Sequence, residues 1–254
     1  IRVQVIQEHN NNMAGRPRVM ASTSTHQWMT HLYDRCDRGW VTIWAIDATT
    51  GAHRTLWGAS DNFHDLLTNA KALIPTHNLY FGVATRKHRL QGVARGGRSD
   101  CELIPAFWVD IDMIDGHGKH TDPNLPPTLN DAYTLLNTFP LPPTSIIETG
   151  GGLQAWWVLN VAMPADDAAR EILDAWNISW QHAATQRGWS IDNVHDIPRV
   201  MRLPGTLNHR GNPPTTATVV SADWTRSYNI DDITQWLTLP EAIPATSGTA
   251  RVDR

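Results

Sequence analysis

Three short stretches of the chain gather residue types that handle charge. The first is Phe107-Trp108-Val109-Asp110-Ile111-Asp112. Alternate side chains of a strand point to opposite faces. Phe107, Val109 and Ile111 then face covering helices, and Trp108, Asp110 and Asp112 share the other face. Two carboxylates on one open sheet face repel each other, and a divalent cation between them turns that repulsion into binding. Carboxylate oxygens suit a hard ion, Mg²⁺ or Mn²⁺. Two solvated acids at a strand end would give the same pattern without a metal.

The second stretch runs from Glu148 to Trp157. Gly150, Gly151 and Gly152 let backbone N–H groups come close to an anion. Gln154 and Trp156 lie on one face of the strand that follows, the face expected to carry the Asp pair. No Gly-Lys-Ser/Thr follows, so this is not a P-loop. A hairpin turn without a ligand is the plain alternative. In the third stretch, Asp192 and Asp196 precede Arg199, Arg202 and the Pro204-Gly205 turn, and the run ends at Asn208. A further carboxylate could complete a two-cation site, and the arginines could neutralise phosphate oxygens. A salt-bridged surface turn is the alternative.

A fourth feature is local charge. Arg86, Lys87, Arg89, Arg95 and Arg98 fall in one segment with no acid, out of 21 Lys and Arg in the chain. That is the footprint of a nucleic-acid backbone or triphosphate contact. A solvated loop would have the same composition.

The elements that must position these residues can be read from the pattern. Gly39 to Ile46 reads as a strand, 47–51 as a turn, and His53 to Trp57 as the return strand. Asp61 is placed to cap a helix running to about Leu73. Asn78 to Ala84 and Ala106 to Asp112 read as strands, and 113–127 as a polar loop. Thr128 to Phe139 reads as a helix stopped by Pro140. Ser145–Thr149 and Leu153–Leu159 form a hairpin, and Pro164 to Gly188 a long helix. A last strand falls in Ile197–Leu203 or Thr216–Val220. The second series is β-α-β-β-α-β, the split ferredoxin-like or RNA-recognition-like plan.

Length and composition bound the rest. The chain has 254 residues, 41% hydrophobic and 18% charged, which suits a globular fold with a sizeable core. No 18-residue apolar stretch and no signal-peptide pattern is present, and a cytoplasmic setting is expected. Cys36 and Cys101 are the two cysteines, too few for a disulfide framework or a Cys-rich zinc knuckle, so no structural zinc is expected. His117, His120 and His195 leave a His-based metal site formally open. The net charge of -4 argues against a generally basic coat protein, though not against a local basic groove. The chain has 12 Trp against 4 Tyr and 4 Phe. Strand phasing places Trp108 and Trp156 toward the acids and Trp157 on the buried face. Residues 1–22 read as a loosely ordered head and 240–254 as a tail or linker. The start at Ile1 and the Pro/Thr-rich tail lead us to expect a domain of a longer polypeptide.

In this order, the segments resemble the archaeo-eukaryotic primase superfamily, more narrowly the primase–polymerases of phages and plasmids. The first motif of that family, an apolar strand ending in D-x-D, matches Asp110 and Asp112. Its second, a Gly-rich hairpin, matches Thr149 to Gln154, with Gln154 where many members have His. Its third, an acid ahead of R-x-x-R-x-P-G-T-x-N, matches Asp192 to Asn208. Asp192 fits the spacing to the arginines, with Asp196 in reserve. The resemblance spans roughly 79–210, and Arg202 to Asn208 is its most specific part.

The resemblance implies an α+β catalytic core over 23–239. An N-terminal α/β module (about 23–103) would pack on an RRM-like split βαββαβ module (about 104–239). It implies template-directed nucleotidyl transfer with two Mg²⁺ or Mn²⁺ ions on Asp110, Asp112 and Asp192. Gly150, Gly151, Gly152, Gln154, Arg199, Arg202 and Asn208 would hold the nucleotide, and the Arg86–Arg98 segment would hold template or triphosphate. Single-stranded DNA, NTPs or dNTPs and a helicase are the implied partners, in the replication of a phage or plasmid in a bacterial or archaeal host cell. Two rival readings share some of these residues. A nucleotide cyclase would use the same acids without a template. A non-catalytic origin-binding module would not need the acids at all.

Overall fold

A computed structural model describes residues 24–114 and 122–237. The head 1–22, the tail 240–254, and His117 and His120 lie outside the described residues. The chain forms two four-stranded antiparallel sheets with helices around them.

The first half begins with α1 (Thr25–Tyr33), whose N-cap Ser24 accepts from the Gln27 N–H. Three strands follow, β1 (Trp40–Asp47), β2 (His53–Ala59) and β3 (His77–Gly82), with α2 (His64–Lys71) between the last two. Asp61 does not cap α2. The helix starts two residues later, after Phe63, without a side-chain cap. The second half runs β4 (Leu103–Asp112), α3 (Leu129–Leu136), β5 (Ser145–Glu148), β6 (Gly152–Pro164) and α4 (Asp167–Thr185). Three short strands follow, β7 (Val200–Arg202), β8 (Leu207–Asn208) and β9 (Thr215–Thr216), then β10 (Thr218–Ala222) and α5 (Ile230–Thr234).

Both segments proposed for the last strand are strands, and they join different sheets. β10 closes the second sheet, whose order is β10-β5-β6-β4. The expected β-α-β-β-α-β series of elements is present, but the closing strand lies beside β5 and not beside β4, so the strand order departs from the ferredoxin-like plan. β7 crosses to the first sheet, whose order is β2-β1-β3-β7. The third motif is thereby shared. Its arginine strand belongs to one sheet, while the acids of the first motif stand on the other.

The two sheets are joined by aromatic packing. Trp28 on α1, Phe81 on β3 and Trp156 on β6 meet at centroid distances of 4.9 to 5.4 Å. Trp28 Nε1 donates to Ser145 Oγ at 3.1 Å, which satisfies its buried N–H. On the other side of the second sheet, Phe107 and Trp157 pack against Trp176 and Trp180 of α4 and against Phe139. Trp157 therefore faces the helices, as the phasing predicts. Trp108 and Trp156 share the opposite face but are buried between the sheets, 2% and 0% exposed. They are part of the frame of the cleft.

Candidate active site

Strand register builds the site. β4 and β6 are antiparallel, and Asp110 stands opposite Gln154 while Asp112 stands opposite Gly152. Directly opposed residues share a face, so the Asp pair and Gln154 project together. They line a pocket of about 240 Å³. Asp192, Gly150, Gly151, Arg199, Arg202 and Asn208 also line it. All three motifs thus reach one cavity. Asp196 does not line it and is ion-paired with Arg199 instead.

Asp110 and Asp112 are half-buried and Asp192 is exposed. Burial, then the charges of Asp112 and Asp192, push Asp110 well above the usual carboxylate range, and Arg199 and Arg202 only partly oppose this. The donors are the right kind for a hard divalent ion, and the repulsion at Asp110 is what such an ion would relieve. Geometry is less complete. Among the described residues, no three His, Cys, Asp or Glu side chains come together closely enough to hold a metal ion. The three acids share a pocket without forming a closed ligand set.

The hairpin needs glycine for packing at two positions. Gly150 adopts φ +85°, and a Cβ there would fall 2.1 Å from Thr215 Oγ1. A Cβ on Gly152 would fall 2.1 Å from the Ile111 carbonyl oxygen. The backbone of β6 can therefore lie close to β4 at the level of Asp112. Asn208 fastens the hairpin to the third motif. Its Nδ2 donates to the Thr149 carbonyl at 2.9 Å, and its Oδ1 accepts from the Arg210 N–H. With both amide atoms engaged, Asn208 acts as a brace beside the pocket.

The loop carrying Asp192 is tied down at several points. Ser190 Oγ donates to Asp122 Oδ2 at 2.7 Å. Buried Trp108 Nε1 donates to the Val194 carbonyl at 2.8 Å. His195 Nε2 lies 2.6 Å from Asp174 on α4. Arg199 Nη2 donates to the Asn193 carbonyl.

The expected cations divide into separate roles. Arg202 is 4% exposed; its guanidinium donates to Asn78 Oδ1 and the Tyr80 hydroxyl and sits 4.8 Å over the Tyr80 ring. Burial lowers its pKa, although its charge still faces Asp110. Arg86 is not placed for a nucleic acid. It is 0% exposed and its guanidinium donates to the carbonyls of Ala84, Arg95 and Pro198, so it braces the fold. Lys87 bonds the Ser99 carbonyl, and Arg98 is ion-paired with Asp167 of α4. Neither residue lines the pocket. Arg89 and Arg95 lie over the rings of Trp40 and Trp44, at 5.6 and 4.7 Å.

Sequence reasoning missed Tyr80 and Arg210, which also line the pocket. Arg210 is exposed and makes no side-chain bond among the described residues. Its signal was a positive charge two places beyond Asn208. The signal for Tyr80 was alternation, since it falls off the Leu79–Phe81 core face.

Gln154 is 4% exposed, and its Oε1 is buried without a partner among the described residues. An amide in that state is oriented by what enters the pocket.

No family model matches the sequence, and no curated protein matches it. The structure does have counterparts. The AEP domain of a cyanophage S-2L primase–polymerase superposes with a TM-score of 0.55 at 17% identity, covering 86% of this chain and 100% of that one. The crystal structure of primase RepB′ is similar at a TM-score of 0.48 and 14% identity, covering 84% of this chain and 61% of that one. The RepB′ catalytic domain in complex with initiator DNA gives 0.47 and 16%, covering 83% and 92%. The chain thus shares the fold of that cyanophage AEP domain.

Proposed function

We propose that the protein is a primase–polymerase domain performing template-directed, metal-dependent nucleotidyl transfer. The observation that carries this reading is the pocket itself, where Asp110, Asp112 and Asp192 face Arg199, Arg202 and Arg210 across one cavity. Acids for cations and cations for phosphates are what a triphosphate reaction requires.

Asp110 and Asp112 would hold divalent ions with Asp192 drawn in as the third ligand. Bound Mg²⁺ or Mn²⁺ supplies a lowered pKa at a 3′-hydroxyl and charge neutralisation at the leaving pyrophosphate. The protein's own groups do the positioning. Arg210 and Arg199, which line the pocket, would meet phosphate oxygens. Arg202, fixed by Asn78 and Tyr80, contributes charge more than new hydrogen bonds. Gln154 offers its amide to the triphosphate in place of a cationic side chain. The Asn208 brace and the close β4–β6 contact at Gly152 keep the acids and the phosphate-facing residues in register.

The test is incorporation of labelled nucleotides with Mg²⁺ or Mn²⁺, with and without an unprimed single-stranded template. Template-dependent polymer supports the reading. A cyclic or template-independent product, or nucleotide binding without turnover, would overturn it.

A further inference from the structure

We infer that the outer face of the first sheet is a stacking platform for single-stranded nucleic acid, leading from Trp44 through Tyr80 into the acidic pocket, with Arg95 as a displaceable cover. The inference rests on the proposed function only for naming that strand a template.

The register sets up the platform. Thr55 on β2, Trp44 on β1, Tyr80 on β3 and Arg202 on β7 are directly opposed across four adjacent strands. At about 4.8 Å per strand, the row runs roughly 14 Å. Its far end is the pocket, since Tyr80 and Arg202 both line it. The alternate residues Ile43, Ala45, Leu79 and Phe81 are 0% exposed on the inner face. Trp44 and Tyr80 are half-buried on the outer face, their rings 6.1 Å apart.

The basic segment lies across this face. Thr55 Oγ1 donates to the Val93 carbonyl at 2.8 Å, which anchors the segment above β2. The Arg95 guanidinium then rests 4.7 Å over Trp44. Among the described residues Arg95 makes no ion pair; the attraction of Asp196 is opposed by the like charges of Arg86 and Arg199. A guanidinium held mainly by a ring is an exchangeable occupant of that ring. A nucleobase can take its place on the indole, and the released guanidinium then meets the adjoining phosphate. Arg89 over Trp40 repeats the pairing beside it.

A strand is favoured over a lone nucleotide by the length of the row and by the two guanidinium–indole pairs along it, Arg95 over Trp44 and Arg89 over Trp40. A protein partner would be expected to meet less net charge and more exposed apolar area. The platform also accounts for part of the tryptophan excess, because Trp44 has no role in the core.

The test is fluorescence anisotropy with labelled oligothymidylate and, as control, duplex DNA of equal length. Trp44→Leu should weaken oligothymidylate binding on the order of tenfold, with Trp44→Phe restoring most of it. Arg95→Gln should reduce the slope of log affinity against log salt by about 1. Unchanged oligothymidylate binding in Trp44→Leu, or an equal loss for duplex or for a mononucleotide, would overturn the platform. The wild-type protein gives a readout that does not depend on the folding of a variant. Photocrosslinking to an iodouracil-substituted strand should map to Trp44 or Tyr80, and crosslinks confined to other segments would refute the inference. The two readings fail separately. Strand binding through Trp44 without polymer product removes the polymerase reading and leaves the platform. Polymer synthesis with an unchanged template KM in Trp44→Leu does the reverse.

Discussion

Replacing Gly152 with Ala tests how closely the hairpin must approach the acid-bearing strand. The added Cβ would sit 2.1 Å from the Ile111 carbonyl oxygen and 2.8 Å from the Asp112 Cα. Both are backbone atoms, so no side-chain rotation relieves the clash. A carbon–oxygen contact of about 3.3 Å requires β4 and β6 to separate locally by about 1.2 Å. Overpacking costs about 1–3 kcal/mol, and a clash against backbone belongs at the upper end. For a chain of this size, ~3 kcal/mol lowers Tm by about 6–12 °C. Gly51→Ala is the control. Gly51 has φ +73° with nothing within 4 Å of an added Cβ, so only the left-handed backbone penalty of ~1 kcal/mol applies, or about 2–4 °C. Thermal unfolding followed by circular dichroism reads both. The displacement in Gly152→Ala falls at Asp112, so nucleotide incorporation should fall further than the loss of folded protein explains. A Tm drop no larger than that of Gly51→Ala, with full activity, would refute the reasoning.

Asp110→Asn should raise the metal-free Tm by about 2–4 °C, for ~1 kcal/mol, while abolishing incorporation. The sign follows from linkage. A carboxyl raised in the folded state binds its proton more tightly there, so wild-type stability falls as pH rises from the ordinary range near 4 through the raised value. The gain in the variant should therefore widen from acid to neutral pH, which a pH series of melting curves measures. Arg86→Met, which leaves three carbonyls without their donor, should cost about 1–3 kcal/mol for each carbonyl that stays buried, read by denaturant unfolding. Arg98→Ala, at an exposed ion pair, should cost under ~1 kcal/mol. Burial pushes the Cys36 thiol up to about 12 and raises Cys101 as well. Both thiols should resist Ellman's reagent at pH 8 until the protein is unfolded, and rapid native reaction would contradict their burial.

The acid-bearing strand was legible because its chemistry and its packing are both local. Alternation across 107–112 separates Phe107 and Ile111 from Asp110 and Asp112, and the antiparallel register then brings Gln154 opposite. The destination of β7 was not legible. Val200–Arg202 is three residues long, and nothing local selects β3 over β5 as its partner. The basic segment showed the limit of composition. Five cations in a row of loops look alike in sequence, yet Arg86 is enclosed by carbonyls, Arg98 pairs with α4, and Arg89 and Arg95 lie on indoles. Helix α1 went unread because Thr25, His26, Gln27 and His31 dilute its apolar stripe. Its stability comes from tertiary burial of Trp28, Met29, Leu32 and Tyr33. Strand phasing sorted Trp108, Trp156 and Trp157, whereas Trp28, Trp176 and Trp180 find their aromatic layers, and Trp44 its outer face, only in three dimensions.

The most direct test of the central claim is metal-dependent nucleotide incorporation on an unprimed single strand, comparing the wild-type protein with Asp112→Asn at matched folded concentration. The account predicts template-dependent product from the wild type with Mg²⁺ or Mn²⁺, none without a divalent ion, and a loss on the order of a thousandfold or more in the variant. Undiminished incorporation by folded Asp112→Asn would contradict it.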